Sequence, residues 1–127
     1  MMVRETLMTL REYALSLPGA YEDFPWSESV IKVNKKIFLF LGDSTDDKAV
    51  NFWLKLPISN GDALNLPFTR PTGYNLGKSG WISVHFPADE DPPVDLFISW
   101  VEESYCAIAS KKLLAQMGTN KRPFDKE

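Results

Sequence analysis

Apolar residues recur along this chain with two distinct periods, and the switches between them mark its elements. Val3, Leu7, Leu10, Ala14 and Leu17 follow one another at three- and four-residue steps, which lays them along one stripe of a helix over residues 3–17. Pro18-Gly19 stops that helix. Period two then takes over. Residues 29–34 and 36–42 read as strands joined by a tight turn at Asn34-Lys35, because asparagine tolerates the left-handed backbone such a turn needs. The acidic loop 43–47 leads to a strand over 48–55. A short helix is expected within 57–66, a short strand near 72–76, a turn over 77–80 and a strand over 81–86. The last helix is expected to start with Asp91 as its cap and Pro92 in its first turn. It carries Val94, Phe97, Ile98, Val101, Tyr105 and Ile108 on one face, has Lys111 and Lys112 near its end, and stops at Gly118.

This order, α-β3-α-β2-α, predicts a two-layer α+β domain over residues 1–118 with one antiparallel sheet of about five strands. Residues 119–127 read as a charged tail. Leu7, Leu10, Val50, Phe52, Ile82, Val84, Val101 and Tyr105 are the expected core. Three helices suffice to cover one face of the sheet and leave the other more open. Strand alternation assigns Lys32, Asn51, Trp53, Lys55, Trp81, Ser83 and His85 to the open face. Bases beside aromatic rings suit phosphates and stacked nucleobases. The same pattern also suits a homodimer interface, or a face half covered by the chain's own loops. Residues 36–42 are apolar on both sides, so that strand is expected at the centre of the sheet.

Composition narrows the chemistry. With 127 residues, 44% hydrophobic and 24% charged, the chain is long enough for one core without staples. The single cysteine, Cys106, excludes an internal disulfide and a thiolate zinc cage and reads as a buried, inert thiol. No apolar run reaches signal-peptide or membrane-spanning length, so a cytoplasmic protein is expected. His85 is the sole histidine. Asp46-Asp47 and Asp89-Glu90-Asp91 lack the spacing of a calcium loop, and no phosphate-binding glycine loop or nucleophile motif occurs. The expectation is a non-enzymatic domain with no metal and no cofactor. The net charge is −3, but it is unevenly spread: residues 29–88 hold seven bases and four acids, a local +3, and the flanks together carry −6.

Several strings carry a family resemblance. Residues 17–26, Leu-Pro-Gly-Ala-Tyr-Glu-Asp-Phe-Pro-Trp, resemble the N-terminal signature of the MmcQ/YjbR family. Lys55 with Pro57 is similar to its Lys-x-Pro element, Tyr74-x-Leu76-x-Lys78 with Trp81 to its hairpin, and Ser104-Tyr105 to a Ser-Tyr pair in its final helix. The similarity runs over roughly residues 5–115. It implies a CyaY-like or secretion-chaperone-like fold and a DNA-binding role. That role rests on likeness to the double-wing domain of a phage transcription activator, in which β-hairpins act as wings. On this reading Lys32, Lys55 and Lys78 contact phosphates, and Lys35 and Lys36 form one wing. Trp53, Trp81 and His85 are the candidates for a ligand on the open face. The expected DNA affinity is weak. Ser79 and Gly80 stand where the family often has basic or polar residues, and Gly77 replaces a common asparagine.

Overall fold

A computed structural model describes residues 3–25, 28–73 and 79–117. The expected tail, Trp26, and the hairpin string with Gly77 and Lys78 lie outside these. The elements are α1 (Val3–Ser16), β1 (Tyr21–Asp23), β2 (Val30–Val33), β3 (Lys36–Leu41), β4 (Ala49–Lys55), α2 (Asn60–Ala63), β5 (Thr69–Pro71), β6 (Trp81–Pro87), α3 (Val94–Ile108) and α4 (Lys111–Gln116). The strands form one antiparallel sheet in the order β1-β2-β3-β4-β6-β5. The chain is therefore α+β, as its hydrophobic pattern predicts.

The core lies between the sheet and the two long helices. Leu7, Leu10 and Ala14 from α1 and Phe97, Val101 and Tyr105 from α3 are buried with Phe52, Leu54, Ile82 and Val84. All eight expected core residues are buried. Phe97 sits at the middle of a ring cluster, with centroids 4.9 Å from Phe52, 5.8 Å from Phe86, 6.0 Å from Phe68 and 5.7 Å from Trp100.

Three expectations need correction, and a fourth falls largely outside the described residues. The sheet has six strands among the described residues, because Tyr21–Asp23 adds an edge strand beside β2. Of the strand expected near 72–76, residues 74–76 lie outside the described residues; before it stands an edge strand at Thr69–Pro71, where Thr69, Arg70 and Pro71 face Val84, Ser83 and Ile82. Asp91 does not cap α3. Pro93 stands at the cap with no side-chain bond, and the first amides are taken up by the carbonyls of Pro92 and Pro93. The final helix is two helices. Ala109 turns extended (ψ 145°), and the Ser110 hydroxyl caps α4 by accepting from the amide of Leu113.

β3 is internal to the sheet, but its double-sided burial has a particular cause. Ile31 faces Leu39 and Lys32 faces Ile37, so Phe38 is an extra residue, a β-bulge. The bulge turns both Phe38 and Leu39 into the core. It also leaves backbone groups to be satisfied. The β3–β4 ladder ends at Leu39–Leu54. Beyond it the buried Ser104 hydroxyl, reaching over from α3, donates to the Phe38 carbonyl (2.6 Å) and accepts from the Lys55 amide (2.9 Å). Beside it, Tyr105 donates to the Pro18 carbonyl (2.5 Å) and packs edge-on against Phe38.

Two glycines are required by close approach. Gly42 donates to the Asn51 carbonyl (2.8 Å), and a Cβ there would lie 2.4 Å from that oxygen. Gly42→Ala is expected to cost about 1–3 kcal/mol in chemical denaturation, because backbone rather than a flexible side chain must give way. A change under about 0.5 kcal/mol would show that the β3–β4 connection tolerates the shift. Gly80 has φ +89°, and its carbonyl accepts from Leu56. The fold thus has its own reason for glycine at this position.

Candidate nucleic-acid interface

The two ends of the sheet differ in charge because of how the loops and helices are laid out. At one end, the β3–β4 loop carries Asp43, Asp46 and Asp47, and the segment after β6 carries Asp89, Glu90 and Asp91. The Ala88 amide donates to the Lys48 carbonyl (2.8 Å), so these two segments are adjacent. Their acids organise turns: Asp43 accepts from the Thr45 amide and hydroxyl, and Asp46 from the Lys48 amide and the Asn51 side chain. The Thr45 bonds hold the Asp43 carboxyl below its usual pKa. A depression of about 820 Å³ lies at this end, lined by Val3, Arg4, Glu5, Met8, residues 44–47 and Ala88. It holds no histidine or cysteine, and no metal-binding cluster occurs among the described residues.

The opposite end carries lysines. The β2–β3 turn has Asn34 at φ 52° and Lys35 at φ 65°, the left-handed pair of a two-residue hairpin turn. The Asn34 side chain accepts from the Ser110 amide (2.8 Å), which ties the turn to the start of α4. Exposed Lys35 and Lys36 therefore flank one side of that contact, and exposed Lys111 and Lys112 the other. Lys55 ends β4 at the same edge, held through its amide by Ser104. Among the described residues these five lysines make no ion pair; the pairs that form are Arg11–Glu22 and Lys32–Asp23. Glu103 is nearby, but its carboxylate is occupied by the amides of Ile58 and Ser59 (both 3.0 Å) and the Ser59 hydroxyl (2.6 Å), where it caps α2 in place of a local side chain.

The long helices reinforce this segregation. Both start at the acidic end and finish near the lysines: Val3 borders the acidic depression, and Gly19, just beyond α1, abuts Leu113 of α4. Glu5 and Asp95 thus lie in the first turns, at the positive ends of the two helix dipoles; neither helix has a base in its last turn, and Lys111 and Lys112 instead open α4.

The other candidate residues fall on the face of the sheet away from α1 and α3. The register sets Asn51 opposite His85, Trp53 opposite Ser83 and Lys55 opposite Trp81. The seven residues sorted by alternation therefore share this face. His85 Nδ1 lies 2.5 Å from the Asn51 side-chain oxygen, which leaves the imidazole engaged but unpaired with any nucleophile. Cys106 is buried on the helix side. Lys32 lies on this face too, but Asp23 already holds its ammonium at 2.8 Å. That pairing lowers the Asp23 pKa and raises that of Lys32. Lys78 lies outside the described residues.

The acidic pair of the N-terminal signature is structural. Glu22 receives both arms of the Arg11 guanidinium (2.6 and 2.9 Å) and the Ser29 hydroxyl (2.5 Å), which fastens edge strand β1 to α1. Arg11 is the main cause holding the Glu22 carboxyl below its usual range. A carboxylate with a depressed folded pKa stabilises fully at neutral pH, and that contribution fades as pH falls through the folded value. Stability is therefore expected to decline from about pH 4.5 downward. Glu22→Gln should lose roughly 1–2 kcal/mol at pH 7, allowing for the partial exposure of Arg11, and should decline less on acidification. Identical acid profiles for the two proteins would remove Glu22 from the account.

A family model described as YjbR matches residues 15–107. Among solved structures, the chain is similar to the crystal structure of the Deinococcus radiodurans protein DR2400, which carries a DUF419 family domain. The TM-score is 0.66, at 21% identity over 93% of this chain and 92% of that one. A search among curated proteins finds no match.

Proposed function

The chain belongs to the YjbR family, and from that premise and the charge layout of its sheet we propose that it is a non-enzymatic module that binds nucleic-acid phosphates, DNA in the first instance, through its lysine-bearing end. The observation that carries this reading is the meeting of the β2–β3 turn with α4, which groups Lys35, Lys36, Lys111 and Lys112 beside Lys55 with no ion-paired acid among them. A polyanion approaching that end meets positive charge although the whole chain carries −3. The acidic end repels it, so the protein is held end-on to the phosphates. The β2–β3 hairpin then acts as the wing, with Lys55 at its base. Lys32 contributes less than its position implies, because a phosphate must first displace Asp23.

Three to five phosphate contacts place the affinity in the non-specific range of about 10⁻⁴–10⁻⁶ M. Titration of a labelled duplex at low salt tests the surface. Lys35→Glu with Lys36→Glu, and separately Lys55→Glu, should each weaken binding by about tenfold or more, since each replaces an attraction by a repulsion. Lys48→Glu at the acidic end should leave it unchanged. Absence of binding at low salt, or equal sensitivity to Lys48→Glu, would refute the assignment.

A further inference from the structure

We propose that the face of the sheet beside Lys55 is a stacking platform for unpaired bases, so that the protein prefers single-stranded nucleic acid to duplex; the inference rests on the phosphate-binding reading above.

Three rings stand together on this face. The Phe40 ring lies 6.4 Å from Trp53 and 6.0 Å from Trp81, nearly perpendicular to both. Both indoles are half-buried, so each keeps part of its surface open. Lys55 is directly opposite Trp81 and two residues along β4 from Trp53, on the same side of the sheet. Arg70 faces Ser83 from the edge strand, and the His85–Asn51 pair borders the rings on the other side. Among the described residues, the acids at this face are Asp23, already neutralised by Lys32, and Asp46, whose carboxylate accepts from the Asn51 side chain at the end away from Lys55.

Charge selects the partner. An isologous dimer through this face would bring two copies of the same Lys55- and Arg70-bearing patch into one interface, whereas a polyanion meets both bases favourably. Rings select its form. Base faces are buried inside a duplex and exposed in a single strand, and stacking on aromatic side chains is tolerant of sequence. A strand whose phosphates sit on Lys35, Lys36 and Lys55 has its bases within reach of Trp81 and Trp53, because Lys55 belongs to both surfaces.

Titration of the full chain with an oligothymidylate and with a duplex of the same length, followed by tryptophan fluorescence and anisotropy, tests this. The single strand should bind at least about fivefold more tightly and quench the indole emission. Trp53→Leu and Trp81→Leu should each weaken single-strand binding by about fivefold or more and leave duplex binding unchanged, with thermal melts confirming the fold. Trp100 is buried and should not report. Should either variant fail to fold, the unaltered protein still decides: equal affinities, or binding without quenching, overturn the proposal. Duplex binding without single-strand preference defeats this inference alone. Binding to neither defeats the phosphate reading with it.

Discussion

Replacing Ser104 by alanine is expected to lower stability by roughly 2–5 kcal/mol, a large loss for the removal of one oxygen atom. The hydroxyl stands between two strands where the β3–β4 ladder has opened, donating to the Phe38 carbonyl and accepting from the Lys55 amide. Alanine leaves both backbone groups without a partner in a site where Ser104 is wholly buried. Each orphaned group costs about 1–3 kcal/mol. Chemical denaturation measures the loss, and amide exchange locates it: the Lys55 amide should lose protection before its neighbours in β4. The variant should also weaken phosphate binding, because Lys55 is positioned through that amide. A loss under about 1 kcal/mol with Lys55 still protected would mean that the strands close across the gap unaided.

Phe97→Ala should have a comparable or larger effect, about 3–5 kcal/mol. The side chain is fully buried, and four rings surround it from β4, β6, α3 and the segment before β5. β4 and β6 share a ladder and Phe68 is tied to it through the His85 amide, but α3 has no backbone ladder with the sheet, so the ring cluster is what holds it there, and truncation leaves a cavity that cannot collapse without moving the sheet. In a domain whose total stability is on the order of 5–15 kcal/mol, the variant should be markedly unfolded at 37 °C. Phe97→Leu, which keeps most of the volume, should cost well under half as much. Equal losses for the two variants would show that shape at this position, rather than volume, sets the energetics.

The strands and their faces were legible because alternation is a local rule. Trp53, Lys55, Trp81, Ser83 and His85 share a face for the reason their sequence positions imply. The turn at Asn34-Lys35 was legible for the same reason, since its backbone demand is met by the residues themselves. What escaped depends on partners distant in sequence. Tyr-Glu-Asp has no strand pattern; it becomes β1 because Arg11 and Lys32 hold its two acids. The break at Ala109 falls where Ser110, Lys111 and Lys112 interrupt the apolar stripe between Ile108 and Leu113, and its local signal is the serine cap three residues before Leu113. That break matters to the candidate site, because it turns Lys111 and Lys112 from the end of one helix into the start of another beside the hairpin turn. The bulge at Phe38 was read as a strand buried on both sides. A clue was available in Ser104, a hydroxyl in the middle of an apolar helix face, where burial demands two hydrogen-bond partners.

The salt dependence of duplex binding tests the central claim most directly. If all five of Lys35, Lys36, Lys55, Lys111 and Lys112 meet phosphates, log K should fall linearly with log salt at a slope of about −4.5, or −0.9 per phosphate neutralised, and at about −2.7 if three do. The slope should shrink by about one unit for each lysine replaced by glutamine at that end, and should be unmoved by Lys48→Gln. A slope near zero, or one that no lysine at that end alters, would contradict the account.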